Sequence, residues 1–252
     1  MGALHKGHMS LINRAKQECG SVVCSVFVNP LQFNNPEDLA RYPRQLDKDR
    51  AMLEETGCDA VFVPVADHLY AGHSPRTFDL GGLDSKLEGA SRPGHFQGVA
   101  NVIERLFHFV RPDAAFFGEK DRQQLAVIRM LTAGERWPVR IVGCPTLRET
   151  NGLAMSSRNQ RLTTEEREKA SVLFRALACV QHRSFKVPVE QARRAGLAVL
   201  GEVPEVRLDH LEIVDSTTLD LLQDWGELTE AVCVVAASIG PVRLIDNITL
   251  RR

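Results

Sequence analysis

The octet Met1-Gly2-Ala3-Leu4-His5-Lys6-Gly7-His8 sets two imidazoles three residues apart among small side chains. Ser10 follows, and Leu11, Ile12 and Ala15 then take up helical spacing. The pattern predicts a tight loop that feeds a helix N-terminus. Such a terminus offers unpaired N–H groups and the positive end of the helix dipole, so it suits phosphate. Gly2 and Gly7 let the backbone come close to a ligand. Two imidazoles at that mouth can donate hydrogen bonds to a phosphate in a transition state.

Working outward, Ser21 to Val28 is a continuous β-branched and apolar run, as in a strand buried on both faces of a parallel sheet. It breaks at Asn29-Pro30-Leu31-Gln32-Phe33-Asn34, a loop at the strand's C-terminal end, where open α/β sheets bind ligands. Gln32 and Asn29 can face a substrate there, although Asn-Pro turn chemistry explains Asn29 and Asn34 as well. Leu46 to Glu55 reads as an amphipathic helix, Ala60 to Val63 as a short strand and Arg76 to Leu80 as a peripheral strand. Val99, Val102, Ile103, Leu106, Phe107 and Val110 mark a core-facing helix. Arg92 and His95 stand just before it and can line a site, though surface positions at a helix start are commoner. Ala114 to Phe117 is a strand, Gly118-Glu119-Lys120-Asp121 a phosphate-friendly break, and Arg122 to Leu131 a helix. The break lacks the spacing of a Walker loop, and Asp121 also fits as a helix N-cap. Val139 to Cys144 completes the alternation that defines a parallel α/β sheet.

Composition then shifts. Arg148 to Arg161 is polar and contains Met155-Ser156-Ser157-Arg158-Asn159. Thr163-Thr164-Glu165-Glu166 looks like a capped helix start, with the helix running to about His182. A second helix covers Val189 to Leu200, and Val206 to Val214, Ala231 to Ala237 and Val242 to Asp246 read as strands. The expected division is a Rossmann-like α/β domain over 1–146 and a smaller C-terminal α+β domain over 147–252.

The 252 residues are 44% hydrophobic and 25% charged, enough for one large or two modest cores. Net charge is −1, so no global basic field points to nucleic acid. No apolar run approaches a membrane span. Cys19, Cys24, Cys58, Cys144, Cys179 and Cys233 are scattered, without metal-ligand spacing. They read as reduced, mostly buried thiols of a cytoplasmic protein.

The first octet resembles the H-x-G-H signature of the adenylyl-transferring α/β superfamily. Further stretches extend the resemblance in order along nearly the whole chain: F-V-N-P-L-Q-F at 27–33, L-A-R-Y-P-R at 39–44 and E-G-A-S-R-P-G-H-F-Q-G-V at 88–99, then F-F-G-E-K-D-R-Q-Q-L at 116–125, G-L-A-M-S-S-R-N at 152–159 and R-L-I-D-N at 243–247. Together they resemble the pantothenate synthetase family, the ATP-dependent pantoate–β-alanine ligases.

The resemblance implies a homodimer that uses ATP, magnesium, pantoate and β-alanine, with a pantoyl adenylate as intermediate. It implies an ATP site formed by Met1, Gly2, Ala3, Leu4, His5, Lys6, Gly7 and His8, by Gly118, Glu119, Lys120 and Asp121, by Leu147, and by Met155, Ser156, Ser157 and Arg158. Among these, His8, His5, Lys120, Ser156, Ser157 and Arg158 are the expected catalytic residues, with His8 the proton donor. Gln32 and Gln124 match the pantoate ligands, and Gln32 also lies beside the β-alanine position. Neutral amides can bind pantoate's hydroxyls without repelling its carboxylate. Asp121 is expected near the ATP ribose or a metal-linked water. Arg122 stands where the family commonly has an aromatic residue. Members also carry a β-strand ahead of M-G-A-L-H, so the first central strand of the sheet is expected to be absent from this chain. Two alternatives follow: a truncated, catalytically impaired nucleotide-binding homologue, and a related nucleotidylyltransferase.

Overall fold

The structure is a computed structural model that describes residues 2–33 and 36–252; for Asp38 and Arg41 it describes the backbone alone. In chain order the elements are α1 (Lys6–Glu18), β1 (Val23–Ser25), α2 (Pro36–Arg41), α3 (Leu46–Glu55), β2 (Ala60–Phe62), α4 (Ala66–Leu69), α5 (Leu87–Ser91), α6 (His95–Val110), β3 (Ala114–Gly118), α7 (Arg122–Gly134) and β4 (Arg140–Cys144). They continue with α8 (Thr164–Ala170), α9 (Val172–Arg183), α10 (Val189–Leu200), β5 (Val206–Asp215), β6 (Glu230–Ile239) and β7 (Val242–Arg251). The chain separates into two compact units: Met1–Glu119 with Gln123–Pro145, and Lys120–Arg122 with Thr146–Arg252.

In the first unit all strand pairing among the described residues is parallel. β1 pairs with β2 from Val23 opposite Ala60, and β3 pairs with β4 from Ala114 opposite Arg140. Among the described residues these are two separate pairs and not one continuous sheet. The apolar run at 21–28 yields a strand of three residues only, because Val26 N–H already bonds Phe62 C=O beyond the ladder and the chain then turns at Asn29-Pro30. One core joins α1, β1 and α3 through Leu4, Ile12, Ala15, Val22, Cys24, Val26 and Leu53, with Phe116 of β3 packed against it. Burying each large apolar side chain of this kind is worth about 1.5–3 kcal/mol, which anchors the loop before α1.

Further expectations need correction. Helix α1 begins at Lys6 and not after Ser10; Ser10 donates from Oγ to Gly7 C=O at 2.7 Å inside it. The segment Arg76–Leu80 is not a strand. Its backbone pairs with side-chain amides of α6: Asn101 Oδ1 accepts from Arg76 N–H and Gln97 Oε1 from Phe78 N–H, while Asn101 Nδ2 donates to Arg76 C=O and Gln97 Nε2 to Phe78 C=O. Two amides one helical turn apart thus stand in for a neighbouring strand. The cysteines are all free, but only Cys24, Cys144 and Cys233 are buried, and Cys19, Cys58 and Cys179 are half-buried.

The second unit carries an antiparallel sheet in the order β5-β6-β7. β6 is buried almost throughout, which its unbroken apolar sequence requires. α9 and α10 pack on the sheet through Leu173, Ala176, Leu177, Val180, Ala192 and Leu200. The helix expected from Thr163 to His182 is two helices. Thr163 and Glu166 form the capping box at its start, but Ser171 Oγ bonds Glu168 C=O at 2.6 Å and bends the chain there. The polar stretch after Arg148 is a hairpin: Arg148 bridges Ala154, Glu149 N–H bonds Leu153 C=O and Met155 N–H bonds Leu147 C=O.

Candidate active site

The mouth of α1 is built from its own histidines. His5 is the N-cap; its Nδ1 accepts from Gly7 N–H at 3.1 Å. His8, three residues on, accepts from His5 N–H on Nδ1 at 3.3 Å. This is a capping box with imidazoles in place of the usual hydroxyl and carboxylate. A nitrogen that accepts from a backbone N–H is unprotonated, so each neutral ring carries its proton on Nε2. The rings lie 4.1 Å apart between centroids and are tilted by 46°. Local capping chemistry therefore fixes two Nε2–H donors beside a helix N-terminus.

The loop before them is held from α3. Asp49, 1% exposed, accepts Ala3 N–H on Oδ2 at 3.0 Å and Leu4 N–H on Oδ1 at 2.6 Å. Sequence reading did not single out Asp49. The available signal was an acid one turn before Leu53 on the buried face of α3. Gly2 is buried, with Val28 and Tyr42 beside its α-carbon, and Lys6 is exposed. Met1 lies outside the described residues.

Gln32 ends a 3-10 turn, Pro30–Gln32, whose N-cap is Asn29. Asn29 is buried and fully employed: Oδ1 accepts from Leu31 N–H and from Tyr70 O–H, and Nδ2 donates to Gly98 C=O at 3.0 Å. Burial pushes the Tyr70 hydroxyl up to about 12, so it stays a donor. Turn and packing chemistry thus account for Asn29; Asn34 lies outside the described residues. His95 and Arg92 do more than start a helix. His95 is 7% exposed and donates from Nδ1 to Gln32 C=O at 2.7 Å. Arg92 donates to the same carbonyl at 3.3 Å and reaches His95 Nε2 at 3.4 Å. Gln32 is therefore clamped by its backbone while its side chain is half-buried.

Gly98 sets the distance between α6 and this turn. A Cβ there would overlap the Leu31 carbonyl and the Gln32 nitrogen, both backbone atoms that cannot swing away. Gly98→Ala should displace Gln32 and, on the expectation that Gln32 is a pantoate ligand, raise the KM for pantoate by about 10- to 100-fold, the cost of an ångström-scale misplacement. Steady-state kinetics on folded protein check this; an unchanged KM would overturn that expectation for Gln32. On α7, Gln123 is buried and structural: Oε1 accepts Glu88 N–H, and Nε2 donates to Leu83 and Lys86 carbonyls. Gln124 beside it is half-buried. Gly118 and Glu119 close β3 in the same unit.

In the second unit Lys120 is 17% exposed at its side chain, and its Nζ lies 3.9 Å from the more exposed Asp121 carboxylate. Asn247 of β7 fixes this loop by donating from Nδ2 to Lys120 C=O at 2.8 Å. The neighbouring Asp246 receives Arg148 on both oxygens, at 2.5 and 3.0 Å. Burial pushes the Asp246 carboxyl up, and Arg148 pulls the other way. Arg148 also donates to Asn247 C=O and lies over the Phe174 ring at 4.2 Å. The R-L-I-D-N stretch thus holds Lys120 and the 147–155 hairpin together. That hairpin sets Leu147, 40% exposed, across from Met155. Ser156 then caps a 3-10 turn, Ser157–Arg161, through Arg158 N–H. Ser157 is buried, Arg158 half-buried, and Asn159 pins the turn by donating to Glu149 and to Ala154 C=O. Arg122, beside Asp121, donates to Ser216 C=O at 3.1 Å.

Parallel strand pairs, a helix mouth with two imidazole donors, and basic loops after a strand and a hairpin define a phosphate-handling α/β protein. Comparison with known proteins points the same way. The family profile described as Pantoate-beta-alanine ligase matches residues 1–249. Pantothenate synthetase of Corynebacterium glutamicum (strain R) is 51% identical over 258 residues, covering 99% of this chain and 91% of the relative. That of Cytophaga hutchinsonii is 45% identical over 252 residues, covering 99% and 89%. The crystal structure of pantothenate synthetase from Thermus thermophilus superposes with a TM-score of 0.94 at 49% identity, covering 98% of this chain and 90% of that one. A pantoate-beta-alanine ligase from Francisella tularensis, complexed with beta-gamma ATP and beta-alanine, gives a TM-score of 0.79 at 34% identity over 98% and 86%. The chain belongs to the pantoate–β-alanine ligase family, enzymes that join pantoate to β-alanine in an ATP-dependent reaction.

Proposed function

We propose that this chain makes pantothenate in two steps and that the first occurs at the α1 mouth. A pantoate carboxylate oxygen attacks the α-phosphorus of ATP, the bond to the bridging oxygen breaks, and pyrophosphate leaves. The β-alanine amine then attacks the acyl carbon of the adenylate, a C–N bond forms, the amine loses a proton, and AMP leaves with the carboxylate oxygen. The observation that carries this reading is the imidazole capping box, which commits two Nε2–H groups to donation at a helix N-terminus. A carboxylate attacking a phosphate needs alignment and charge compensation more than a nucleophilic side chain. His8 donates to the developing phosphate charge and His5 steadies the triphosphate, with Gly2, Ala3, Leu4, Lys6 and Gly7 as the surrounding ATP loop. Lys120 and Arg158 supply cationic contacts to phosphate oxygens, Ser156 and Ser157 supply hydroxyls in the loop that Met155 begins, and the Leu147 backbone meets the adenine. Gln32 and Gln124 bind pantoate, and Gln32 serves β-alanine as well.

Magnesium would come with the ATP phosphates, since the ion keeps several waters and binds largely through phosphate oxygens, with the Asp121 carboxylate near the ribose or a metal-linked water. When bound with ATP it neutralises phosphate charge. A strand joining the β1–β2 pair to the β3–β4 pair would make one parallel sheet, as the family resemblance implies. We also assign a cytoplasmic location, which six free cysteines support. A homodimer completes the reading; Val63, Val65 and Phe109, each more than two-fifths exposed, offer apolar surface for it. Among the described residues no helix is long and apolar enough to cross a membrane.

Pyrophosphate exchange tests the order of steps. Pantoate and ATP without β-alanine should exchange labelled pyrophosphate into ATP, because the adenylate forms before the amine arrives. An absolute requirement for β-alanine would refute the stepwise scheme. ATP consumption that ignores pantoate would favour a nucleotidylyltransferase, and nucleotide binding without turnover an impaired homologue.

A further inference from the structure

We propose that Asp49 is a positioning residue for adenylate formation, fixing the backbone of Ala3 and Leu4 and, through it, His5 and His8. The inference rests on the two-step reading above. Asp49 sits in the first turn of α3 and is 1% exposed, yet its carboxylate meets backbone N–H groups from a segment 45 and 46 residues away. A residue needed there only for packing would be apolar, since a buried carboxylate is costly unless it is hydrogen-bonded. Both of its oxygens are engaged by consecutive amides of one loop, which fixes the orientation of that loop as well as its place.

The loop requires such a clamp. Ala3 is fully buried and held at φ 50, in the left-handed region that residues with a Cβ adopt at a cost. That conformation turns the chain so that Leu4 enters the core beside Leu53, one turn beyond Asp49 on the same helix. His5 follows immediately as the N-cap of α1, so its ring is separated from the clamped Leu4 amide by one residue's bonds. His8 is tied to His5 through the capping box. Displacing the carboxylate therefore moves both Nε2–H donors together, and neither Ala3 nor Leu4 has a polar side chain to compensate.

The test is a double-mutant cycle on pantoate-dependent pyrophosphate exchange. Asp49→Asn keeps the size of the side chain but turns one acceptor into a donor facing an N–H. It should lower exchange by about 10- to 100-fold in the otherwise unaltered enzyme. In a His8→Ala background the same change should cost several-fold less than in the unaltered enzyme, because the part of the loss that acts through His8 is already gone and only the part through His5 remains. A loss of exchange equal in both backgrounds, or a folded Asp49→Asn enzyme within about threefold of the unaltered one, overturns the proposal. Asp49→Glu keeps the charge and shifts it by one methylene. It should fold and exchange about 3- to 10-fold more slowly, and a folded Asp49→Glu enzyme at full rate overturns the proposal even where Asp49→Asn fails to fold. Absence of exchange in the unaltered enzyme refutes the two-step reading itself; normal exchange that is indifferent to Asp49 refutes only its positioning role.

Discussion

His8→Ala should lower the rate of adenylate formation by about 10²–10⁴, the range for losing a proton donor or an electrostatic stabiliser. The ring is placed by backbone geometry: Nδ1 is occupied by the His5 amide, so the proton sits on Nε2. Alanine removes the donor and half of the capping box together, and lost capping alone costs about 0.5–2 kcal/mol. The two effects separate by measurement. Thermal unfolding reports the cap, and rapid-quench pyrophosphate release reports the donor. His8→Gln offers an amide in place of the ring and should recover stability more than rate. A folded His8→Ala enzyme within about threefold of the unaltered rate would remove His8 from the reaction.

Arg148→Ala should destabilise the second unit by about 3–5 kcal/mol, the usual cost of leaving one partner of a buried ion pair behind. Asp246 is 4% exposed, and Arg148 supplies two hydrogen bonds to it. The loss should also depend on pH. Burial already raises the folded-state carboxyl above its ordinary value, and Arg148 is the largest influence opposing that rise. A group raised in the folded state gives its full stability below the unfolded carboxylate value and loses it as pH climbs through the folded one. Removing Arg148 raises the folded value further. The deficit of Arg148→Ala should therefore be smaller in mildly acidic buffer than at neutral pH. Urea titrations at both pH values check the sign; a deficit that grows on acidification would show that Asp246 is not the group left unpaired. Asn247, next in the chain, holds Lys120, so with Lys120 as the proposed phosphate contact the same variant should also weaken ATP binding.

The parts legible in the sequence were those written in local pattern. The helices Leu46–Glu55 and Val189–Leu200 follow their apolar spacing to the residue. The turn that leads His5 and His8 into a helix N-terminus was legible in its glycines and in the apolar spacing that follows. What was hidden depended on tertiary partners. Asp49 shows on paper as an acid in an apolar stripe, but nothing nearby names Ala3 and Leu4 as its donors. Asn247 and Lys120 lie 127 residues apart and meet only when β7 is in place. Arg76–Leu80 has strand-like composition, yet amides of α6 satisfy its backbone, so no ladder forms. The hairpin from Leu147 to Met155 escaped because polar residues mask its pairing. His95 opens α6 as its sequence position suggested, while Arg92 caps the C-terminus of α5; that both also grip Gln32 is a consequence of how α6 approaches the turn.

The two-step scheme is tested most directly by the fate of one oxygen atom. Pantoate labelled with ¹⁸O in both carboxylate oxygens is supplied with ATP and β-alanine, and the products are separated for mass spectrometry. Attack on the α-phosphorus places one labelled oxygen in AMP for each pantothenate formed and leaves pyrophosphate unlabelled. Label in pyrophosphate or inorganic phosphate, or AMP with none, would contradict a pantoyl adenylate.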